Sequence, residues 1–228
     1  MAADTLSTRQ LKFRLYDHLK AKDFDPQLQE IRRYPLKQVV SPLFSYFYNA
    51  DERVRWHAVT AMGAVVSDLA EGGEMEYARV VMRRMMWNLN DESGGIGWGS
   101  PEAMGEVMAR NDTLAGDFGN IIVSYLMEEG NYLEHPLLQR GLLWGIGRLA
   151  HARPKRIPRA APHLVPFLTS EDPVHRGLAA WAAGPFKNAS TNPLLKDLCS
   201  DNSDITVYMN GELVDRTVAS LAREALNR

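Results

Sequence analysis

Two glutamates one helical turn apart are the residues best placed for chemistry. Glu102 and Glu106 stand at i and i+4, a spacing that puts both carboxyls on one helix face. Paired carboxylates divide acid and base roles when their surroundings differ; without that difference they form a solvated face. Just upstream, Gly94, Gly95, Gly97 and Gly99 surround Trp98. Glycine-rich backbone ahead of a helix can turn its N–H groups toward an anion. No Gly-Lys-Ser/Thr follows and no strand pattern precedes, so a nucleotide loop is not expected. The plain alternative is an awkward turn between Asp91 and Pro101. The six histidines (His18, His57, His135, His151, His163 and His175) form no His-x-x-x-His or His-Glu pair. The single cysteine, Cys199, excludes an internal disulfide framework and a cysteine-based zinc site. No nucleophile has an evident base, and no metal or cofactor is expected.

A basic cluster, Arg153, Lys155, Arg156 and Arg159, follows Arg148 and His151. It suits phosphate contact, or merely a solvated linker whose charge favours a helix C-terminus. Lys+Arg 26 against Asp+Glu 28 leaves a formal charge of −2 over 228 residues, which excludes nucleic-acid binding through bulk charge. No apolar run approaches a membrane span. The opening Met1-Ala2-Ala3-Asp4 lacks the layout of a signal peptide. The expectation is a soluble, cytoplasmic chain without membrane contact.

These groups need elements to hold them, and an internal repeat supplies the elements. Val54–Gly63 recurs forty-two residues on as Ile96–Gly105, with Trp and Ala-Met-Gly coinciding. The same shift reaches Leu138–Gly147. A fourth copy, thirty-six residues further, starts at Val174 and repeats Arg-Gly-Leu as Arg176-Gly177-Leu178. Such spacings suit helical-pair repeats. At about 100° per residue, Val54, Ala58, Ala61, Met62 and Val65 share one stripe. Ile96, Ser100, Ala103, Met104 and Val107 share the matching stripe, as do Leu138, Leu142, Gly145, Ile146 and Leu149. Upstream apolar runs, 41–48, 76–89, 117–129 and 161–168, are expected first helices, with Pro42 and Pro166 marking bends or starts.

Asp51-x-x-Val54-Arg55-x-x-Ala58-x-x-Ala61-Met62-Gly63 resembles the second helix of a HEAT repeat. The resemblance covers roughly residues 36–190; the Arg55 place becomes Gly97, Gln139 and His175 in later copies. It implies an all-α superhelix whose common role is to hold a protein or nucleic-acid partner. The whole chain is also similar to small uncharacterised HEAT-like proteins of anaerobic sulfate-reducing bacteria. HEAT-like iron hydroxylases use repeated His-Glu pairs, which this sequence lacks. Some HEAT-like solenoids are DNA glycosylases that set alkylated bases against tryptophans and a carboxylate; Trp98 or Trp144 with Glu102 would imitate that site.

The expected organisation is an α-solenoid over residues 1–228. Residues 1–35 supply N-terminal capping helices, 36–190 about four repeats, and 191–228 a C-terminal cap. Within that cap, β-rich residues around Asn210-Gly211 predict a hairpin over 205–214, followed by a helix over 215–227. Capping is the plain reading of the tail; a hairpin edge that docks a partner is the alternative. Opposite the buried stripes stand Trp56, Trp98, Glu102, Glu106, Arg140, Trp144, Arg148 and Arg176. Aromatic and Arg side chains are enriched at binding hot spots. The functional expectation is therefore a scaffold or adaptor, not an enzyme, gripping a protein or peptide on this face of the second helices. Coverage of the tryptophans by the termini is the competing expectation. A nucleic-acid enzyme built on the 92–106 loop, contacting phosphates through Arg153, Lys155, Arg156 and Arg159, is the second functional reading.

Overall fold

The computed structural model describes residues 7–90 and 97–228. Among these, helices alternate between two rows. The first row holds α3 (Leu36–Tyr46), α5 (Met75–Leu89), α7 (Asp112–Ser124) and the short α9 (Ala160–His163) and α10 (Val165–Leu168). The second holds α4 (Glu52–Glu71), α6 (Ser100–Arg110), α8 (Pro136–Ala152) and α11 (Pro173–Ala183). Each second helix packs on the next, and α13 (Val218–Leu226) continues the row against α11. At the N-terminal end, α1 (Thr8–Leu19) packs on α2 (Asp25–Ile31), α3 and α4. At the other end, α12 (Asn192–Leu198) packs on α13 and is followed by strands β1 (Asp204–Met209) and β2 (Glu212–Thr217).

Local chemistry explains where the second helices begin. The Asp51 carboxylate accepts from the Arg53 N–H at the start of α4. His135 Nδ1 does the same for Leu137 ahead of α8, and Asp172 for Val174 ahead of α11. In α8 and α11 a proline follows the cap, where a missing N–H costs nothing. The sequence pattern puts Ser100 at the cap of α6, and here the structure differs. Gly99 takes that place at φ +74, and Ser100 is the first helical residue, its hydroxyl buried without a partner among the described residues. A β-carbon at Gly99 would fall 2.7 Å from the Phe47 ring. Only glycine suits both the left-handed turn and that contact.

The stripe positions are buried as expected: Val54, Ala58, Ala61, Met62 and Val65 in α4, and Ala103, Met104 and Val107 in α6, have no exposed surface. Glycine sets how close the second helices come. A β-carbon on Gly105 would stand 2.3 Å from the Gly145 Cα, and one on Gly145 would stand 2.4 Å from the Pro101 carbonyl. Gly147 receives the Trp181 ring and Gly177 the Ile205 side chain in the same way.

Pro42 lies inside α3, which starts five residues before the expected run. The helix keeps it because Val39, Val40, Leu43 and Phe44 bury around it. The hairpin extends to Thr217, so α13 begins at Val218, where Thr217 Oγ1 accepts from the Ser220 N–H. The strands pair antiparallel, Met209 opposite Glu212 and Asp204 opposite Thr217. Asn210 (φ 52) and Gly211 (φ 88) form the two-residue turn, the left-handed pair a tight hairpin prefers.

Candidate functional site

The face expected to stand open is partly roofed by the hairpin. Trp144 is 3% exposed. Its Nε1 donates to the Tyr208 carbonyl at 2.8 Å. The Tyr208 ring stacks on Trp56, centroids 4.7 Å apart and planes 9° from parallel. The Tyr208 hydroxyl meets Thr60 Oγ1 at 3.0 Å. Burial pushes its pKa to about 12, against the lowering effect of that hydrogen bond. The two indoles of Trp56 and Trp144 lie 4.7 Å apart. The expectation that Trp144 faces solvent is therefore corrected in favour of its competitor, coverage by the C-terminal cap, while Trp56 stays half-buried. Trp98, in the turn before α6, is 37% exposed.

Beyond Tyr208 the roof stops short, leaving a cleft of about 510 Å³. Its walls come from α4 (Arg55, Trp56), the turn at Trp98 and Gly99, α6 (Glu102), α8 (Arg140, Gly141, Trp144), α11 (Val174, Leu178) and β1. Three sequence-predicted tryptophans, Glu102 and Arg140 thus meet at one cavity. Its strand side, Asp204–Tyr208, belongs to the hairpin expected as an alternative docking edge; the Asn-Gly signal predicts that hairpin but not the helices it packs on.

Glu102 is the chemically distinctive wall residue. Its carboxyl lies over the backbone of α8, where a β-carbon at Gly141 would fall 2.4 Å from Oε1. Oε2 is sealed from solvent and has no hydrogen-bond partner among the described residues. Burial pushes the pKa up to about 7, a shift that a hydrogen bond from its own backbone N–H and, less strongly, the charge of Arg55 oppose. Desolvation outweighs both and favours the neutral acid.

The other predicted side chains are paired within the protein. Glu106, 3% exposed, accepts from Arg110 Nε at 2.7 Å and Arg148 Nε at 2.5 Å. The two glutamates of one helix face thus differ sharply. Arg140 meets Asp172 at 2.8 Å. Burial favours the neutral acid of Asp172, but hydrogen bonds from Arg140 and the Val174 N–H hold its pKa below the usual value. Arg176 meets Asp201 at 2.8 Å and donates to the carbonyls of Ser170 and Glu171. Gly97 is buried beside Leu138, and Gly99 caps α6. Gly94 and Gly95 lie outside the described residues.

The basic cluster is neutralised in part. Arg153 and Arg156 both bind Asp112, and the hydrogen bond from Arg156 holds that carboxyl below its usual pKa. Lys155 and Arg159 are exposed. With the Trp144 indole under Tyr208, the glycosylase-like arrangement loses one of its two expected base-stacking surfaces. Among the described residues no group of three or more His, Cys, Asp or Glu could hold a metal ion, and no helix is long and apolar enough to cross a membrane.

The HEAT-like repeat family matches residues 136–182, from α8 through α11. An uncharacterized protein of Archaeoglobus fulgidus is 30% identical over 110 residues, 48% of this chain and 53% of that protein. The chain thus spans about half the length of that relative. A designed armadillo repeat protein in complex with the peptide (KR)4 is similar at a TM-score of 0.54 and 17% identity, over 96% of this chain and 98% of that one. Computationally designed armadillo repeat proteins for modular peptide recognition match at a TM-score of 0.52 and 17% identity, over 97% and 99%. The stacked helical pairs and these likenesses show a HEAT/armadillo-like repeat solenoid with a two-stranded antiparallel sheet near its C-terminus.

Proposed function

We propose that the protein is a scaffold that holds an extended segment of a protein partner in the cleft between its second helices and β1. The observation that carries this reading is Glu102: a carboxyl oxygen sealed into the wall of a cavity with no donor among the described residues. A fold gains nothing by leaving such a group unpaired, since an unsatisfied buried acceptor costs about 1–3 kcal/mol. Turning that carboxyl toward the cleft, where a ligand brings a donor, recovers that cost on binding.

The surrounding chemistry favours a basic side chain. The cleft walls hold Glu52, Glu102 and Asp204 against Arg55 and Arg140, and Arg140 already has Asp172. The indoles of Trp56 and Trp98 line the same space, and a cation over an indole is attracted to its face. A designed repeat protein of similar fold holds the peptide (KR)4, the same chemical class.

The test is fluorescence polarisation at pH 8 with a labelled, acetylated hexapeptide of alternating threonine and lysine. Wild type should bind it, and Glu102→Gln should bind at least tenfold more weakly while remaining folded. Equal binding by both proteins, or equal binding of a peptide with glutamine in place of lysine, would refute the reading.

A further inference from the structure

We propose that the partner's backbone is held by strand addition, pairing with the outer edge of β1 inside the cleft. This rests on the peptide reading above and adds the mode of capture. In a hairpin closed by a two-residue turn, the residues flanking the turn exchange both backbone hydrogen bonds, and bonded and non-bonded pairs then alternate. Met209–Glu212, Val207–Val214 and Ile205–Arg216 are therefore the bonded pairs of this register. Tyr208 and Thr206 occupy the intervening pairs, so their N–H and C=O groups point away from β2. The Tyr208 carbonyl is taken by Trp144 Nε1. Neither backbone group of Thr206, nor the Tyr208 N–H, has a protein partner among the described residues.

That edge faces the cleft, because Asp204–Tyr208 run along its wall as five consecutive residues. Thr206 itself is exposed. An unpaired strand edge is a template for another chain, and adding a strand satisfies its main-chain groups while alternate side chains enter pockets. One set of alternate side chains of an added strand would face the wall formed by Glu102 of α6 and Trp98 of the turn before it. The hairpin's other contacts hold the edge rigid: Ile205 in the notch at Gly177 and Tyr208 against Trp56.

The test uses wild-type protein and the alternating threonine–lysine hexapeptide, N-methylated at one amide at a time. Strand addition predicts a period of two. Methylation within one alternate set of amides should weaken binding at least tenfold, and methylation within the other should change it less than twofold. Uniform effects at every position would overturn strand addition while leaving cleft binding intact; no binding of the parent peptide overturns both. Thr206→Pro gives an independent arm, since it removes an N–H that the β1–β2 ladder does not use. It should lose at least tenfold in affinity while Thr206→Val, which keeps the backbone donor, binds like wild type. Equal affinity of a folded Thr206→Pro protein would overturn the proposal; if that variant fails to fold, the methylation series decides alone.

Discussion

The indole of Trp144 and the carbonyl of Tyr208 are joined by a hydrogen bond of 2.8 Å across sixty-four residues of chain. This contact fastens β1 to α8. It turns a tryptophan that the repeat pattern sends outward into a buried one. It also fixes one wall of the cleft.

Trp144→Phe should therefore destabilise the protein by about 1–3 kcal/mol, the cost of an acceptor left unpaired. Trp144→Ala should cost about 3–5 kcal/mol. Urea unfolding measures both, and hydrogen exchange should show strand amides of the hairpin losing protection first. Unchanged exchange in the hairpin would place its anchorage elsewhere.

The glycine crossings give a second prediction. Gly145→Ala drives a methyl into the Pro101 carbonyl, 2.4 Å away, and should destabilise by about 1–3 kcal/mol or more. Gly116 in α7 is exposed, and its nearest neighbour is an Arg156 nitrogen at 3.4 Å. Gly116→Ala should be neutral or stabilise by up to about 1 kcal/mol through helix propensity. Thermal melts of the two variants should move apart.

Much of this architecture was legible because the repeat writes it in local spacing. The shift of forty-two residues aligns Gly63, Gly105 and Gly147, each of which receives a neighbouring helix or side chain. Asn210-Gly211 specifies its own turn. What the sequence does not display is long-range pairing. The partners of Arg140 and Arg176 lie thirty-two and twenty-five residues away, and no periodicity announces them; Glu106 and Arg148 stand one repeat apart, but the shift does not say that the two side chains pair. Likewise Glu102 and Glu106 look alike in sequence. They differ because α8 brings Arg148 to one and glycine backbone to the other.

Arg176→Ala tests whether that side chain serves the fold. It ties Asp201, ahead of β1, to the loop at Ser170 and Glu171. Removing it takes the ion-pair partner from a mostly buried carboxylate that keeps only its bonds from Ser203, which should cost about 1–3 kcal/mol. A melting temperature matching wild type would free Arg176 for a partner instead.

Glu102 makes stability depend on pH in an unusual direction. Its folded pKa of about 7 lies above the usual glutamate value of 4.5, so the folded state holds the proton more tightly than the unfolded chain. The native state is favoured by this group below about pH 4.5, and that contribution falls away as pH rises through 7. Glu102→Gln cannot titrate. Relative to wild type it should gain stability steadily across that window, reaching about 3 kcal/mol above pH 7. Denaturant unfolding of both proteins at pH 5 and pH 8 measures the difference; a gap that does not widen would mean the carboxyl is solvated or paired.

The most direct measurement for the cleft as a peptide site is the pH profile of binding of the threonine–lysine hexapeptide. A lysine entering beside Glu102 requires the carboxylate, which is about one-tenth ionised at pH 6 and nine-tenths at pH 8 for a pKa near 7. Wild type should therefore bind roughly tenfold more tightly at pH 8 than at pH 6, and Glu102→Gln should bind weakly and show no such rise. Identical, pH-independent affinities for the two proteins would contradict the account.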